Sequence, residues 1–388
     1  MHEGRIIFAQ IMDYLPREVF DDCVKKYRGN FNSKGFTCRD QFLAMAFAQL
    51  TLRQGLRGIQ ETLNANEHCL YHMGFRCGAL ARNTLAKANE NRPWQIYAEL
   101  ALALMRRARK LYEKEPLVVA LDATVFALDS TTIDLCLARF PWTPSQQSKA
   151  AVKMHVLLNL RGGIPEFIVI SVAKKHDLHV FDHLEYSAGA YYIMDRAYQC
   201  FKYLYAMHES RAYFIVRGTR HICYSVAASR PVDKTSGLRC DQTIRMTGSD
   251  SKKVYLERLR RIKYHDKETG NILVFLTNDF ELPALTIAEL YRQRWQIELF
   301  FKWIKQHLRI KSFYGYSENA VRTQLWIAIA VYCLLAIIKK DLKADRELHE
   351  IQEILSASIF QKMPILQAFS KMNEKNRVGA SCNQLKLF

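Results

Sequence analysis

The succession of strands that begins at Pro116 limits the fold more than any other part of this chain. Residues 117–129, LVVALDATVFALD, are continuous, β-branched and apolar, as in a strand buried on both faces. Two further strand patterns come next, at 151–160 and 167–172, and the turn Arg161-Gly162-Gly163 between them reads as a hairpin connection. A helix near 179–186, a strand at 190–194, a helix at 201–208 and a strand at 212–216 complete the series. Three adjacent strands and then strand–helix alternation predict an α/β fold, a mixed sheet flanked by helices.

The flanking regions differ in texture. Residues 1–115 read as a helical N-terminal domain. Thr37 is placed to cap a helix through Thr51, and further helices are expected at 56–63, 84–91 and 94–110. Short helices joined by tight turns resemble a helix-turn-helix, with RNTLAKANENR as a segment that could read DNA; a plain packing domain is the other reading. Residues 116–218 form the first part of the core, 219–280 a β-rich insertion, and 281–343 the second part of the core. Residues 344–388 are a C-terminal helix and tail. Lys267-Glu268-Thr269-Gly270-Asn271 marks a hairpin turn inside the insertion.

The formal net charge of +18 favours a polyanionic partner, nucleic acid before an anionic membrane. The apolar run 325–338 is too short to span a bilayer and reads as a buried helix, so no membrane partner is expected. Ten scattered Cys without paired spacing fit reduced thiols and a cytoplasmic location. The cluster His68, Cys69, His72 and Cys77 does not have common zinc spacing.

Residues 286–309, TIAELYRQRWQIELFFKWIKQHLR, read as one helix that starts with a Thr286/Glu289 capping box. Leu290, Ile297, Phe300, Ile304 and Leu308 give it a core-facing stripe. Beside that stripe, Tyr291, Arg294, Glu298 and Lys305 fall within a sector of about 60°, with Lys302 and Arg309 at its edge. A solvated face of i,i+4 ion pairs is the simplest account. The other is that Glu298 works with carboxylates elsewhere. Asp129 at the end of the first strand and Asp195 at the end of the fourth are suited to converge with it. Enzymes that break phosphodiesters commonly hold two Mg²⁺ ions with a few carboxylates, water and phosphate. Asp122 is the rival to Asp129; seven residues earlier on the same strand, it points to the opposite face. His176, Asp177, His179, Asp182 and His183 form another possible metal group, although a carboxylate at a helix start with exposed His is commoner.

These residues resemble the DDE transposases of insertion sequences, in particular the insertion-sequence-four family. ALDSTT around Asp129 looks like that family's first-aspartate segment and YIMDRAY around Asp195 like its second. Tyr291, Arg294, Glu298 and Lys305 match its Tyr-x2-Arg-x3-Glu-x6-Lys signature, and the interval before Glu298 leaves room for the family's β-rich insertion. The resemblance implies an RNase H-like core in which Asp129, Asp195 and Glu298 bind two Mg²⁺ or Mn²⁺ ions. It implies cutting at terminal inverted repeats of double-stranded DNA, joining of the ends to target DNA, and a homodimer in the synaptic complex. In that picture Tyr291, Arg294 and Lys305 hold DNA near the transposon tip, with Lys302 and Arg309 beside them, and Trp295 is placed to stack on a base. Arg294 and Lys305 are then phosphate clamps rather than partners of Glu298.

The last residues, Gln384, Leu385, Lys386, Leu387 and Phe388, look like the peptide by which bacterial proteins dock on the replication sliding clamp. The expected setting is the bacterial cytoplasm, in association with the nucleoid. A catalytically inert, transposase-derived DNA-binding protein and an RNase H-like DNA nuclease are the alternatives.

Overall fold

The computed structural model describes residues 4–135, 150–172, 177–219, 222–307 and 313–369. Two compact units divide the chain. One is Met1–Leu111 with Cys136–Trp142 and Lys302–Phe388; the other is Tyr112–Leu135 with Thr143–Phe301.

The second unit is built on one nine-stranded sheet in the order β3-β2-β1-β4-β5-β9-β8-β7-β6. Its first five strands are β1 (Val125–Leu135), β2 (Ala150–Asn159), β3 (Ile164–Val172), β4 (Tyr191–Met194) and β5 (Tyr213–Arg217). β1, β2 and β3 pair antiparallel, and β1, β4 and β5 pair parallel. This is the expected mixed sheet. The Arg161–Gly163 turn sits where expected. Gly162 has φ +76°, and a Cβ there would lie 2.1 Å from Cδ1 of Tyr112, so only glycine fits.

The first strand starts later than its apolar pattern suggests. Asp122 lies in an exposed bend before β1, not on the strand. The reason is Arg161, whose guanidinium donates to the carbonyls of Glu115 (2.7 Å), Leu121 (3.0 Å) and Ala123 (3.3 Å). A side chain thus satisfies backbone acceptors that a sheet neighbour would otherwise take. The strand also runs on past Asp129 to Leu135, paired with β2, so Asp129 stands inside β1 and not at its end.

The β-rich insertion is not a separate body. Its strands are β6 (Tyr224–Arg230), β7 (Leu238–Met246), β8 (Leu259–His265) and β9 (Ile272–Thr277). β9 pairs antiparallel with β5, so the insertion extends the core sheet. The hairpin turn at 267–271 joins β8 to β9 as expected. On one face of the sheet Phe126, Leu128, Tyr192, Met194, Phe214 and Val216 pack under the helix Phe201–Glu209.

A buried hub ties the insertion to the turn after β9. Arg260 on β8 makes two bonds to Asp241 on β7, at 2.9 and 2.8 Å, and donates to the carbonyl of Leu282 at 2.6 Å. Asp279 accepts from the backbone N–H of Glu281 and Leu282 and, at 2.5 Å, from the Tyr191 hydroxyl. The helix Ala284–Arg292 starts directly after this turn, with Pro283 as its N-cap. The expected Thr286 cap is thereby corrected: Asp279 and Pro283 already fix the helix start, and Thr286 lies inside the helix.

The first unit is helical. Thr37 and Asp40 form a capping box on the helix Cys38–Leu50. The helix Glu318–Asp341 is long and apolar enough to cross a membrane by composition, but 94% of that stretch is buried within the protein. It is the axis of this unit: the Asn319 side chain donates to the carbonyls of Asn89 and Arg92, and Gln324 accepts from the backbone N–H of Tyr314. N-terminal helices pack along this apolar helix, so helices from both ends of the chain share one unit.

Candidate active site

The parallel pairing of β1 with β4 sets the geometry. Leu128 is in register with Met194, so the next residues, Asp129 and Asp195, stand side by side. Side chains alternate along a strand, and both aspartates project from the same face as Ala127 and Ile193. Asp195 opens a single 3₁₀ turn, Arg196–Tyr198, as β4 ends.

The third carboxylate comes from a helix that is not the one expected. The stretch 286–309 forms two helices, Ala284–Arg292 and Trp295–His307, separated at Gln293-Arg294. At the break, backbone bonds tighten to i→i−3: Arg294 to Tyr291, Gln296 to Gln293, and Ile297 to Arg294. Leu290, Ile297, Phe300 and Ile304 are buried as the periodicity requires. Leu308 and Arg309 lie outside the described residues.

Arg294 sits at this break and links the carboxylates. Its Nη1 donates to Oδ2 of Asp129 at 2.9 Å, and its Nη2 to Oε1 of Glu298. The expectation that Arg294 is not a partner of Glu298 is thus overturned. The guanidinium is mostly buried, with side-chain exposure of 18%, and a buried cation needs counter-charge nearby. Glu298 is 57% exposed, so its half of the bridge is weakly held.

Electrostatics distinguish Asp129. Burial pushes its carboxyl above the ordinary value; Asp195 and Glu298 push in the same direction, while the Ser130 N–H and Arg294 oppose them. A largely buried carboxylate with two others close by is an arrangement that a bound cation would suit. Tyr291 is buried, packs its ring at a tilt against Phe275, and donates its hydroxyl to Oδ1 of Asp195 at 3.4 Å. Burial first, then the charge of Asp195, pushes that phenol up to about 12, so it remains a donor. Trp295 is half-exposed, and Lys302 and Lys305 are exposed on the helix Trp295–His307.

The donor set, three carboxylates and no thiol or imidazole, suits Mg²⁺ or Mn²⁺ in kind. Among the described residues no three His, Cys, Asp or Glu side chains already form a closed cage. Asp129 and Asp195 are neighbours, and Glu298 reaches them through Arg294. Of the second group considered, His176 lies outside the described residues, and His179 pairs with Asp182 at 3.5 Å in the open. Asp177 does something else. It accepts from Lys153 and Ser130, a pairing that no sequence signal marks.

With this geometry in place, comparison with known proteins is decisive. Residues 120–334 match the transposase DDE domain family. The chain belongs to that family of DDE transposases. Residues 3–76 match a second family, a domain of unknown function. A protein named as a transposase from Sinorhizobium fredii is 32% identical over 289 residues, covering 72% of this chain and 78% of its own. The transposase named for insertion sequence element IS5377 of Geobacillus stearothermophilus is 30% identical and covers 65% of this chain and 66% of its own. The one named for element IS4SA of Synechocystis is 24% identical and covers 90% of this transposase and 94% of its own chain.

Proposed function

We propose that this transposase cuts DNA at the terminal inverted repeats of an insertion sequence and joins the freed ends to target DNA. Asp129, Asp195 and Glu298 are the carboxylates that hold two Mg²⁺ or Mn²⁺ ions. When bound, such ions polarise the scissile phosphate and lower the pKa of an attacking water or 3′-hydroxyl. The observation that carries the reading is the register of β1 against β4, which sets Asp129 beside Asp195, with Glu298 bridged to Asp129 by Arg294.

The chain's own groups divide the remaining work. Asp129 on β1 and Asp195 directly after its paired neighbour β4 are the rigid members; Glu298, on a helix beyond a break, is the adjustable one. Arg294 balances the carboxylate charge, and the Tyr291 hydroxyl orients Asp195. DNA contacts fall to exposed Lys302 and Lys305 and to Arg309, which neutralise phosphates, and to Trp295, whose half-exposed ring offers a stacking face. Two copies synapse the two ends as a homodimer, and the reaction takes place at the bacterial nucleoid. Residues 384–388 lie outside the described part of the chain; in this reading Gln384, Leu385, Leu387 and Phe388 dock on the replication sliding clamp.

The test is cleavage of a labelled repeat-end duplex in Mg²⁺. Glu298→Gln should retain end binding and lose cutting. A variant that cuts like the wild type removes Glu298 from the site. A protein that binds ends but never cuts them supports an inert DNA-binding role, and cutting without joining supports a nuclease.

A further inference from the structure

Asp129 has a supporting chain on the opposite face of the sheet. Its Oδ1 accepts from the backbone N–H of Ser130 at 2.8 Å. The Ser130 side chain, one residue along the strand, points to the other face. There its hydroxyl donates to Oδ1 of Asp177 at 2.9 Å, and the same oxygen lies 2.6 Å from Nζ of Lys153. Lys153 and His155 stand on β2 opposite Thr132 and Ser130, so all four share that face. His155 is buried, with Nδ1 3.7 Å from the same Asp177 oxygen and Nε2 3.5 Å from the Ser171 hydroxyl. Burial holds its pKa to about 4, which leaves Lys153 as the cation that Asp177 answers. Burial alone would raise the Asp177 carboxyl; the Lys153 and Ser130 hydrogen bonds bring it below its ordinary value, so it is an acceptor at neutral pH.

A largely buried ion pair is a poor device for stability, since desolvation offsets most of its attraction. It is a good device for fixing direction. Reactive constellations need placement to within about 0.5 Å, and outer contacts supply it. We propose that Asp177, held by Lys153, is a positioning residue for Asp129, acting through the Ser130 hydroxyl and the Ser130 N–H. The Asp177–Ser130 bond fixes where the Ser130 peptide lies; that peptide holds Oδ1 of Asp129 and so sets the direction of Oδ2, the oxygen that Arg294 also meets and that a cation would take. This rests on the reading of Asp129 as a metal ligand.

The experiment uses the full chain, with Mn²⁺ titrated by calorimetry in the absence of DNA and end cleavage measured in parallel. Asp177→Ala and Ser130→Ala should each weaken Mn²⁺ binding by about 10- to 100-fold, the usual scale for a lost outer contact. Ser130→Thr, which keeps the hydroxyl, should restore it. Binding of end DNA should be unchanged in all three. If Asp177→Ala fails to fold, the Ser130→Ala and Ser130→Thr pair decides alone. The inference is overturned if Ser130→Ala binds Mn²⁺ like wild type while Asp129→Ala loses it. If Asp129→Ala itself binds Mn²⁺ like wild type, the ligand reading fails and this inference fails with it.

Discussion

Arg260 offers the sharpest test of how the insertion supports the helix start. Its guanidinium is 3% exposed and makes a two-pronged bond to Asp241, which is 5% exposed. Arg260→Met keeps the bulk and removes the charge. Breaking a buried pair on one side costs about 3–5 kcal/mol, because the other charge stays buried. Arg230 lies 3.7 Å from Asp241 and softens that cost, which places the expectation at the lower end, about 3 kcal/mol. For a unit of this size, each kcal/mol moves Tm by roughly 2–4 °C, so a fall of roughly 6–12 °C should be seen by calorimetry. Arg260→Met combined with Asp241→Leu removes both charges. It leaves the Leu282 and Asp279 carbonyls without that donor, as the single variant does, at about 1–3 kcal/mol for a buried acceptor. The double variant should therefore be more stable than the single one. Hydrogen exchange should localise the loosening to β7, β8 and the first turn of the helix Ala284–Arg292. A single variant within about 2 °C of wild type, or a double variant no better than the single, would refute the reasoning.

Three further outcomes are expected. His155, with its pKa lowered to about 4 by burial, should add stability that is complete above pH 6.5 and is lost as pH falls toward 4, by about 3 kcal/mol in total; His155→Phe should flatten that part of a denaturation–pH curve. Lys305→Ala should weaken end binding and reduce its steep salt dependence by about one unit of slope while leaving Tm unchanged; a fall in Tm without a change in slope would mark a structural ion pair instead. Deleting residues 384–388 should abolish binding to purified sliding clamp, and unchanged binding would remove that role from the tail.

Much of the sheet is legible in the sequence because its signals are local. Apolar β-branched runs, a Gly-Gly turn and strand–helix alternation all act over a few residues. The features that stay hidden depend on partners far away in sequence. The apolar run at 117–121 has the pattern of a strand, yet Arg161 holds that segment by its carbonyls and leaves Val118 78% exposed. No Gly or Pro marks the break at Gln293-Arg294; the guanidinium there reaches Asp129, on a different element. Asp177 has the pattern of an ordinary helix-start carboxylate because Ser130 and Lys153, its partners, come from two separate strands. The apolar stripe on residues 290–304 survives the break, since burial depends on which side faces the core and not on unbroken helical hydrogen bonds.

The pairing of β5 with β9 has a consequence for the history of such a chain. The peptide leaves the core at Arg217 and returns at Phe275, directly opposite in register. The two ends of the insertion are thus already neighbours, as in a hairpin whose tip has been drawn out. Each doubling of such a loop costs only about 0.6 kcal/mol in closure entropy. The sheet therefore has a port at which segments of very different length can be exchanged, while the strands that carry Asp129 and Asp195 keep their register.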